Sequence, residues 1–256
     1  MVGELRLKMP KIGTRKLYYL LEDKLKKMHV GRDMLFRILR ANHMLVEPKR
    51  HYHITTNSHH RFRKHKNLIE CIVPSTPEQI WVSDITYVGN RNNPMYLALV
   101  TDAYSKKIVG HDVSSSLDVS GSARALKKAI NSRTYKSNEI IHHSDRGLQY
   151  CSNEYQSILA KNKIKCSMTE SYDPYANAVA ERVNGILKSE FIGENNLCDL
   201  ITMKELVSDS IKIYNELRPH YSCYFNTPNQ MHKQKRISIK TYRRKNTSND
   251  VIAGVN

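Results

Sequence analysis

The sequence predicts an α/β fold, a mixed five-stranded sheet with flanking helices, preceded by a small helical module. Three observations predict it. From Gln79, β-branched and aromatic residues alternate with polar ones in three consecutive runs separated by turn residues. After them, strand-like and helix-like periodicities alternate, as crossover connections require. Before them, two short stretches space their apolar residues as one buried helical face does. A chain of 256 residues suits one ordinary domain plus a small one.

The first helical stretch is 14–28, T-R-K-L-Y-Y-L-L-E-D-K-L-K-K-M, with Leu17, Leu20, Leu21, Leu25 and Met28 on the buried side. A break at Val30–Gly31 leads into a second, 32–44, with Leu35, Ile38, Leu39 and Met34 inward and Arg32, Arg37 and Arg40 projecting elsewhere. Two short helices with a basic second one suit helix-turn-helix DNA binding; a plain helical hairpin has the same pattern. Residues 47–70 are polar, basic and histidine-rich. His51, His53, His59, His60 and His65 lack the paired cysteines that would favour zinc, so the stretch reads as a solvated basic arm whose Arg61, Arg63 and Lys64 meet phosphates.

Charge divides the chain the same way. Residues 1–70 carry +11, residues 71–232 are balanced, and residues 233–256 carry +6. Basic ends around a neutral middle suit a phosphate backbone, whose counterions they release. The segments expected are a helix-turn-helix-like module (1–46), a basic linker (47–75), a catalytic core with a C-terminal helix (76–232) and a basic tail (233–256). The five cysteines include no C-x-x-C pair, no stretch is apolar enough to span a membrane, and the N-terminus has no secretory h-region. A cytoplasmic location is expected.

Within the core, Q-I-W-V-S-D-I-T-Y-V, P-M-Y-L-A-L-V-T-D-A-Y and K-K-I-V-G-H-D-V are three strands of an antiparallel meander. A helix, D-V-S-G-S-A-R-A-L-K-K-A-I, follows, then a strand E-I-I-H-H-S, a helix N-E-Y-Q-S-I-L-A-K-N and a strand I-K-C-S-M-T. Tyr172–Phe191 is the third core helix. Asp173–Pro174 is a start signal. Val179, Ala180, Val183, Ile186, Leu187 and Phe191 form its buried face, and Asn177, Glu181, Asn184 and Lys188 stack as a polar stripe. A last helix, M-K-E-L-V-S-D-S-I-K-I-Y-N-E-L, precedes R-P-H-Y-S-C-Y-F-N-T-P. The order β-β-β-α-β-α-β-α is that of the ribonuclease-H fold.

Three acids can converge on this framework: Asp84 within the first strand, Asp145 at the end of the fourth, where Gly147 permits a tight turn, and Glu181 on the polar stripe. Mg²⁺ prefers oxygen ligands and keeps open positions for phosphate oxygens, so two or three carboxylates make a suitable site. Asp102 also lies on a strand, and spacing alone does not separate it from the others. Arg146 and His143 flank Asp145, where both suit a DNA contact and His143 equally suits strand-end packing.

The runs W-V-S-D-I-T-Y, H-S-D-R-G-L-Q-Y and N-A-V-A-E-R-V-N-G-I-L-K, with 35 residues between Asp145 and Glu181, closely resemble the D-D-E transposase and retroviral-integrase superfamily. More narrowly, they resemble the second-reading-frame protein of insertion sequence family three. G-T-R-K-L, S-H-H-R-F-R-K-H-K-N-L-I and I-Y-N-E-L-R-P-H extend the resemblance to roughly residues 10–232. The resemblance implies Asp84, Asp145 and Glu181 as catalytic ligands of two Mg²⁺ or Mn²⁺ ions and makes Asp102 structural. It implies double-stranded DNA as substrate, with Lys188, about 10 Å along the helix from Glu181, contacting DNA beside the cut. Asn177 is read as a further DNA contact or a support for the acids, with capping of its own helix as the alternative. A first-reading-frame helix-turn-helix and coiled-coil partner, or a fusion to it, and self-association on DNA follow from the same resemblance. A non-catalytic DNA-binding regulator and a structure-specific nuclease of the same fold are the competing readings.

Overall fold

The computed structural model describes residues 1–47, 65–70, 72–89, 93–169, 177–193 and 199–233. The expected meander is present: β1 (Ile80–Gly89), β2 (Pro94–Asp102) and β3 (Ile108–Ser114) pair antiparallel. Two short strands, β4 (Ile141–Ser144) and β5 (Lys165–Met168), add in parallel on the other side of β1. The order β3-β2-β1-β4-β5 makes a mixed sheet with β1 at its centre.

Helices precede the sheet: α1 (Val2–Lys8), α2 (Thr14–Leu20), α3 (Glu22–Lys27) and α4 (Arg32–Ala41). The single helix expected over 14–28 is broken at Leu21, whose φ of −105° and ψ of 7° end α2. The bend keeps Leu17, Leu21 and Leu25 all buried, whereas Met28, beyond the last turn of α3, is 57% exposed. On α4 only Leu35 and Leu39 are buried; Met34 and Ile38 are exposed, so the apolar stripe is narrower than its sequence predicts. Helix α1 was not expected.

Beyond the meander come α5 (Val119–Asn131), α6 (Leu148–Cys151), α7 (Asn153–Lys161), α8 (Ala178–Ile186), α9 (Leu200–Leu217) and α10 (Pro228–Lys233). The α8 helix continues without interruption into a π-helical turn, Leu187–Ile192. The start signal at Asp173–Pro174 lies outside the described residues, as do Arg61, Arg63, Lys64 and the histidines of the arm before His65.

Alternation along the strands gives the sheet two apolar faces. Ala98 and Val100 point toward α5 and α7, in a core with Trp81, Leu126, Tyr155 and Met168. Gly110 lets α5 approach β3: a Cβ there would lie 2.2 Å from the carbonyl oxygen of Ala125. Leu97 and Leu99 point the other way, into a core shared with Val183, Leu187, Phe191, Val207 and Tyr214. Met9, Ile12, Leu17, Leu25, Leu35 and Leu39 belong to that same cluster. The N-terminal helices therefore pack on the core instead of standing apart from it.

Helix α9 closes the β3 edge. Asn215 donates Nδ2 to the carbonyl of Ile108 and accepts from its N–H, both at 3.0 Å, as a neighbouring strand would. Helix α10 is held by a buried ionic network. His232 Nδ1 lies 3.0 Å from Ser105 Oγ, and its Nε2 lies 3.5 Å from Glu78 Oε1. Glu78 also accepts from the N–H groups of Thr134 and Tyr135, which with His232 and Arg133 hold its pKa down to about 2 against the opposing effect of burial.

Candidate active site

Sheet register places two of the three acids. Ser83 of β1 is the register partner of Ser144 of β4 in a parallel pair, so the residues that follow, Asp84 within β1 and Asp145 just past the end of β4, stand side by side. This is the carboxyl edge of the parallel part of the sheet, where open α/β sheets place their ligands. The seat beneath is rigid: Ser83 Oγ and Tyr155 Oη lie 2.7 and 2.9 Å from Nε2 of the buried His142. His143, considered above as a DNA contact, is fully buried, with Nδ1 2.8 Å from Ser167 Oγ.

Both carboxylates are oriented by the protein. Asp84 Oδ1 accepts from the N–H of Ile85 at 2.9 Å, and its Oδ2 from Asn184 Nδ2 at 2.8 Å. Asp145 Oδ1 accepts from the N–H of Gly147 at 3.0 Å. Gly147 is not in the left-handed region its tight turn suggested, since its φ is −62°. The absence of a side chain matters instead for room: a Cβ would sit 3.0 Å from Asp145 Oδ1.

The third acid arrives on α8. Its polar stripe faces β1 and is fastened on both sides of Glu181. Asn177 donates Nδ2 to the carbonyl of Ser83 at 3.1 Å, and Asn184 holds Asp84. Asn177 is buried, and its side chain holds the strand that carries Asp84 and makes no capping bond to its own helix. Glu181 itself is exposed at the rim. Lys188 is half-buried, with Nζ 3.4 Å from Thr86 Oγ1; burial lowers its pKa, while Asp84 raises it. The role of Asn184 had no signal in sequence beyond its place in the stripe.

A cleft of about 300 Å³ opens in front of Asp84 and Asp145, lined also by Thr86, Tyr96, Leu148 and Tyr150. Burial, reinforced by the charges of Asp145 and Glu181, raises Asp84 to about pKa 7, although Asn184 and the N–H of Ile85 pull it down. Such crowding stores repulsion that a cation relieves. Tyr150 Oη, buried and without a hydrogen-bond partner among the described residues, adds a polar atom at the same cleft. An all-oxygen donor set of this kind fits a hard divalent ion. Among the described residues, no three His, Cys, Asp or Glu side chains stand close enough to hold a metal as they are.

Asp102 is elsewhere. It is fully buried at the end of β2, where Oδ1 accepts from the N–H and Oγ of Ser105 and Oδ2 from the N–H of Glu78. Arg146 is half-buried beside Asp145, and Arg32, Arg37 and Arg40 lie on the exposed surface of α4, with Arg32 paired to Asp33.

Two family profiles, each described as an integrase core domain, match residues 74–174 and 162–228. The insertion element IS600 uncharacterized 31 kDa protein of Shigella sonnei is 33% identical over 210 residues, 81% of this chain and 76% of that one. Transposase InsF for insertion sequence IS3fB of Escherichia coli K12 is 31% identical over 198 residues, 77% of this chain and 68% of that one. The chain belongs to the IS3 family of transposases. The function of this transposase is DNA transposition and integration, carried on an integrase-type core. Its fold is similar to that in the cryo-EM structure of a simian T-cell lymphotropic virus intasome in complex with PP2A regulatory subunit B56 gamma, with a TM-score of 0.53 and 19% identity over 93% of this chain and 80% of that one. No helix among the described residues is long and apolar enough to cross a membrane.

Proposed function

We propose that this transposase is a D-D-E polynucleotidyl transferase in which Asp84, Asp145 and Glu181 hold two Mg²⁺ or Mn²⁺ ions. The observation that carries the reading is the Ser83–Ser144 register, which sets two carboxylates side by side while α8 brings a third near enough to raise the pKa of Asp84. When bound, the ions would offset the charge that develops on the attacking and leaving oxygens. The chain's own part is orientation. Asn184 and the N–H of Ile85 fix the Asp84 carboxylate, and the N–H of Gly147 fixes Asp145. Glu181 is exposed on three rotatable bonds and turns inward to complete the set.

The substrate is double-stranded DNA. In the first step, water attacks a phosphodiester at an element end, the P–O3′ bond breaks, and a 3′-OH and a 5′-phosphate are left. In the second, that 3′-OH attacks a target phosphodiester, a new P–O3′ bond forms, and the target strand gives up its own 3′-OH. No covalent protein intermediate is needed. Lys188 and Arg146 face phosphate near the cut. Arg32, Arg37 and Arg40, with Arg61, Arg63 and Lys64 of the arm, hold the duplex through the module at 1–46 and the linker at 47–75, outside the core at 76–232; the tail at 233–256 adds charge. The protein acts as an oligomer on DNA in the bacterial cytoplasm, with a first-reading-frame partner or fusion supplying further end recognition.

The test is substitution of each acid. Asp84→Asn, Asp145→Asn and Glu181→Gln should each abolish 3′-end cleavage and strand transfer in Mg²⁺ while duplex binding is retained. Metal-dependent cutting that survives in any of the three removes that residue from the set, and intact cutting in all three would leave a DNA-binding regulator with a separate nuclease.

A further inference from the structure

The run I-Y-N-E-L-R-P-H and the carboxylate of Glu190 play no part in the site described above. Arg218, only 1% exposed, donates Nε to Glu190 Oε2 at 2.7 Å and Nη2 to Glu190 Oε1 at 2.6 Å, a two-pronged pair. Its Nη1 lies 2.9 Å from His220 Nε2, and its guanidinium stands 5.8 Å from the centre of the Tyr214 ring. Burial and the Arg218 charge hold His220 neutral, with a pKa near 2, so its Nε2 accepts the hydrogen bond.

Arg218 is itself on a fixed mount. Two residues before its end, α9 is fastened to the backbone of β3 by Asn215, and Tyr214 Oη donates to the carbonyl of Lys106 at 2.8 Å. Glu190 lies in the π-helical turn that continues α8, two residues beyond Lys188 on the helix that carries Glu181. A second mount reaches Glu190 from the opposite end of the chain. Lys16 of α2 places Nζ 3.4 Å from Oε1, and the N–H of Lys11 donates to the Glu190 carbonyl at 3.2 Å. One carboxylate thus joins the sheet edge, the N-terminal helices and the helix of the third acid.

We infer that the Glu190–Arg218 pair, closed by Lys16, is an interlock that sets where Glu181 stands, so that Glu190, Arg218 and Lys16 are positioning residues for strand cleavage. The inference rests on the three-acid reading. A buried ion pair contributes little net stability compared with an apolar replacement, but it admits only one geometry. Geometry is what Glu181 needs, because an error of about 1 Å at a reacting centre costs on the order of a hundredfold in rate. The interlock also makes the N-terminal helices part of the active site's support, so the end-binding module and the chemistry share a mechanical connection.

The experiment uses the full chain and a duplex taken from the DNA flanking its gene. It compares wild type, Glu190→Gln, Lys16→Met and Asp84→Asn. The readout is the Mg²⁺ concentration that half-saturates 3′-end cleavage, beside duplex affinity and thermal stability. Both positioning variants should need roughly tenfold more Mg²⁺, with duplex affinity unchanged and Mn²⁺ restoring cleavage. Mg²⁺ curves that overlay wild type, with amplitudes that follow only the folded fraction, would overturn the interlock. Lys16 is a fifth exposed, so Lys16→Met keeps the test alive if Glu190→Gln does not fold. Cutting by Asp84→Asn would instead overturn the three-acid reading, which separates the two failures.

Discussion

At the scale of single residues, Asn184 shows how the site is tuned. Its hydrogen bond favours the charged form of Asp84 and opposes the upward push of burial and of the neighbouring acids. Removing it leaves Asp84 protonated to higher pH, and a proton competes with any cation for the same oxygens. Asn184→Ala should therefore move the acid limb of the cleavage profile upward and raise the Mg²⁺ requirement more at pH 6.5 than at pH 8. Folding stability should fall by only about 1–2 kcal/mol. An unmoved acid limb would show that Asn184 does not act on Asp84. Asp84, Asp145 and Glu181 stand out in the sequence because each sits in a run with its own signature, and the structure sets the first two side by side. Asn184 does not stand out, since an asparagine on a polar stripe looks the same whether it faces water or a buried carboxylate. Asp102 shows the converse: spacing alone does not separate it from the other acids, the resemblance makes it structural, and its bonds to Ser105 and Glu78 tie it to the turn.

At the scale of elements, the strands and the core helices were legible because their periodicities are set by burial on one face, which composition records. The irregular pieces were not. The break at Leu21 leaves the apolar spacing of 14–28 undisturbed, so nothing in the sequence marks it. The four-residue α6 is too short for a period, and the π turn is a change in hydrogen bonding that keeps the residue types of an α-helix. Contact between elements is equally silent until two are seen together, as at Gly110. A methyl group there meets the backbone of α5 at 2.2 Å and forces helix and strand apart. Gly110→Ala should cost about 1–3 kcal/mol, read as a lower denaturation midpoint with an unchanged slope. A variant as stable as wild type would mean that α5 shifts freely on the sheet.

At the scale of the whole molecule, three histidines decide the response to acid. Burial, aided by Lys128, His143 and Arg218 respectively, lowers His111 to a pKa of about 4, His142 to about 3 and His220 to about 2. The ordinary value is near 6.5, so below that pH the unfolded chain binds protons that the folded chain refuses, and stability falls as pH drops. Their contribution is whole above about pH 6.5 and is lost towards the folded values. Asp84 acts oppositely in the metal-free protein, where the fold takes up a proton below about pH 7, but it is one group against three. His232 opposes the trend only near neutrality, above about pH 6.5. Its pKa is raised because the Asp102 and Glu78 contacts outweigh burial, so its stabilisation is fully present below pH 6.5 and is lost only as pH rises through its folded value. In EDTA, the denaturant midpoint should decline from pH 7 to pH 5; a flat or rising midpoint would contradict the neutral burial of these histidines. The shared apolar cluster has a consequence for taking the protein apart. The segment that matches integrase cores runs from residue 74 to residue 228. A fragment cut to those limits would lose Met9, Ile12 and Leu17 from one face of the sheet, and with α10 the histidine that stands between Glu78 and Asp102. The boundary drawn by kinship is not the boundary of the folding unit, and a catalytic fragment of this transposase must carry both ends of the chain's described fold with it.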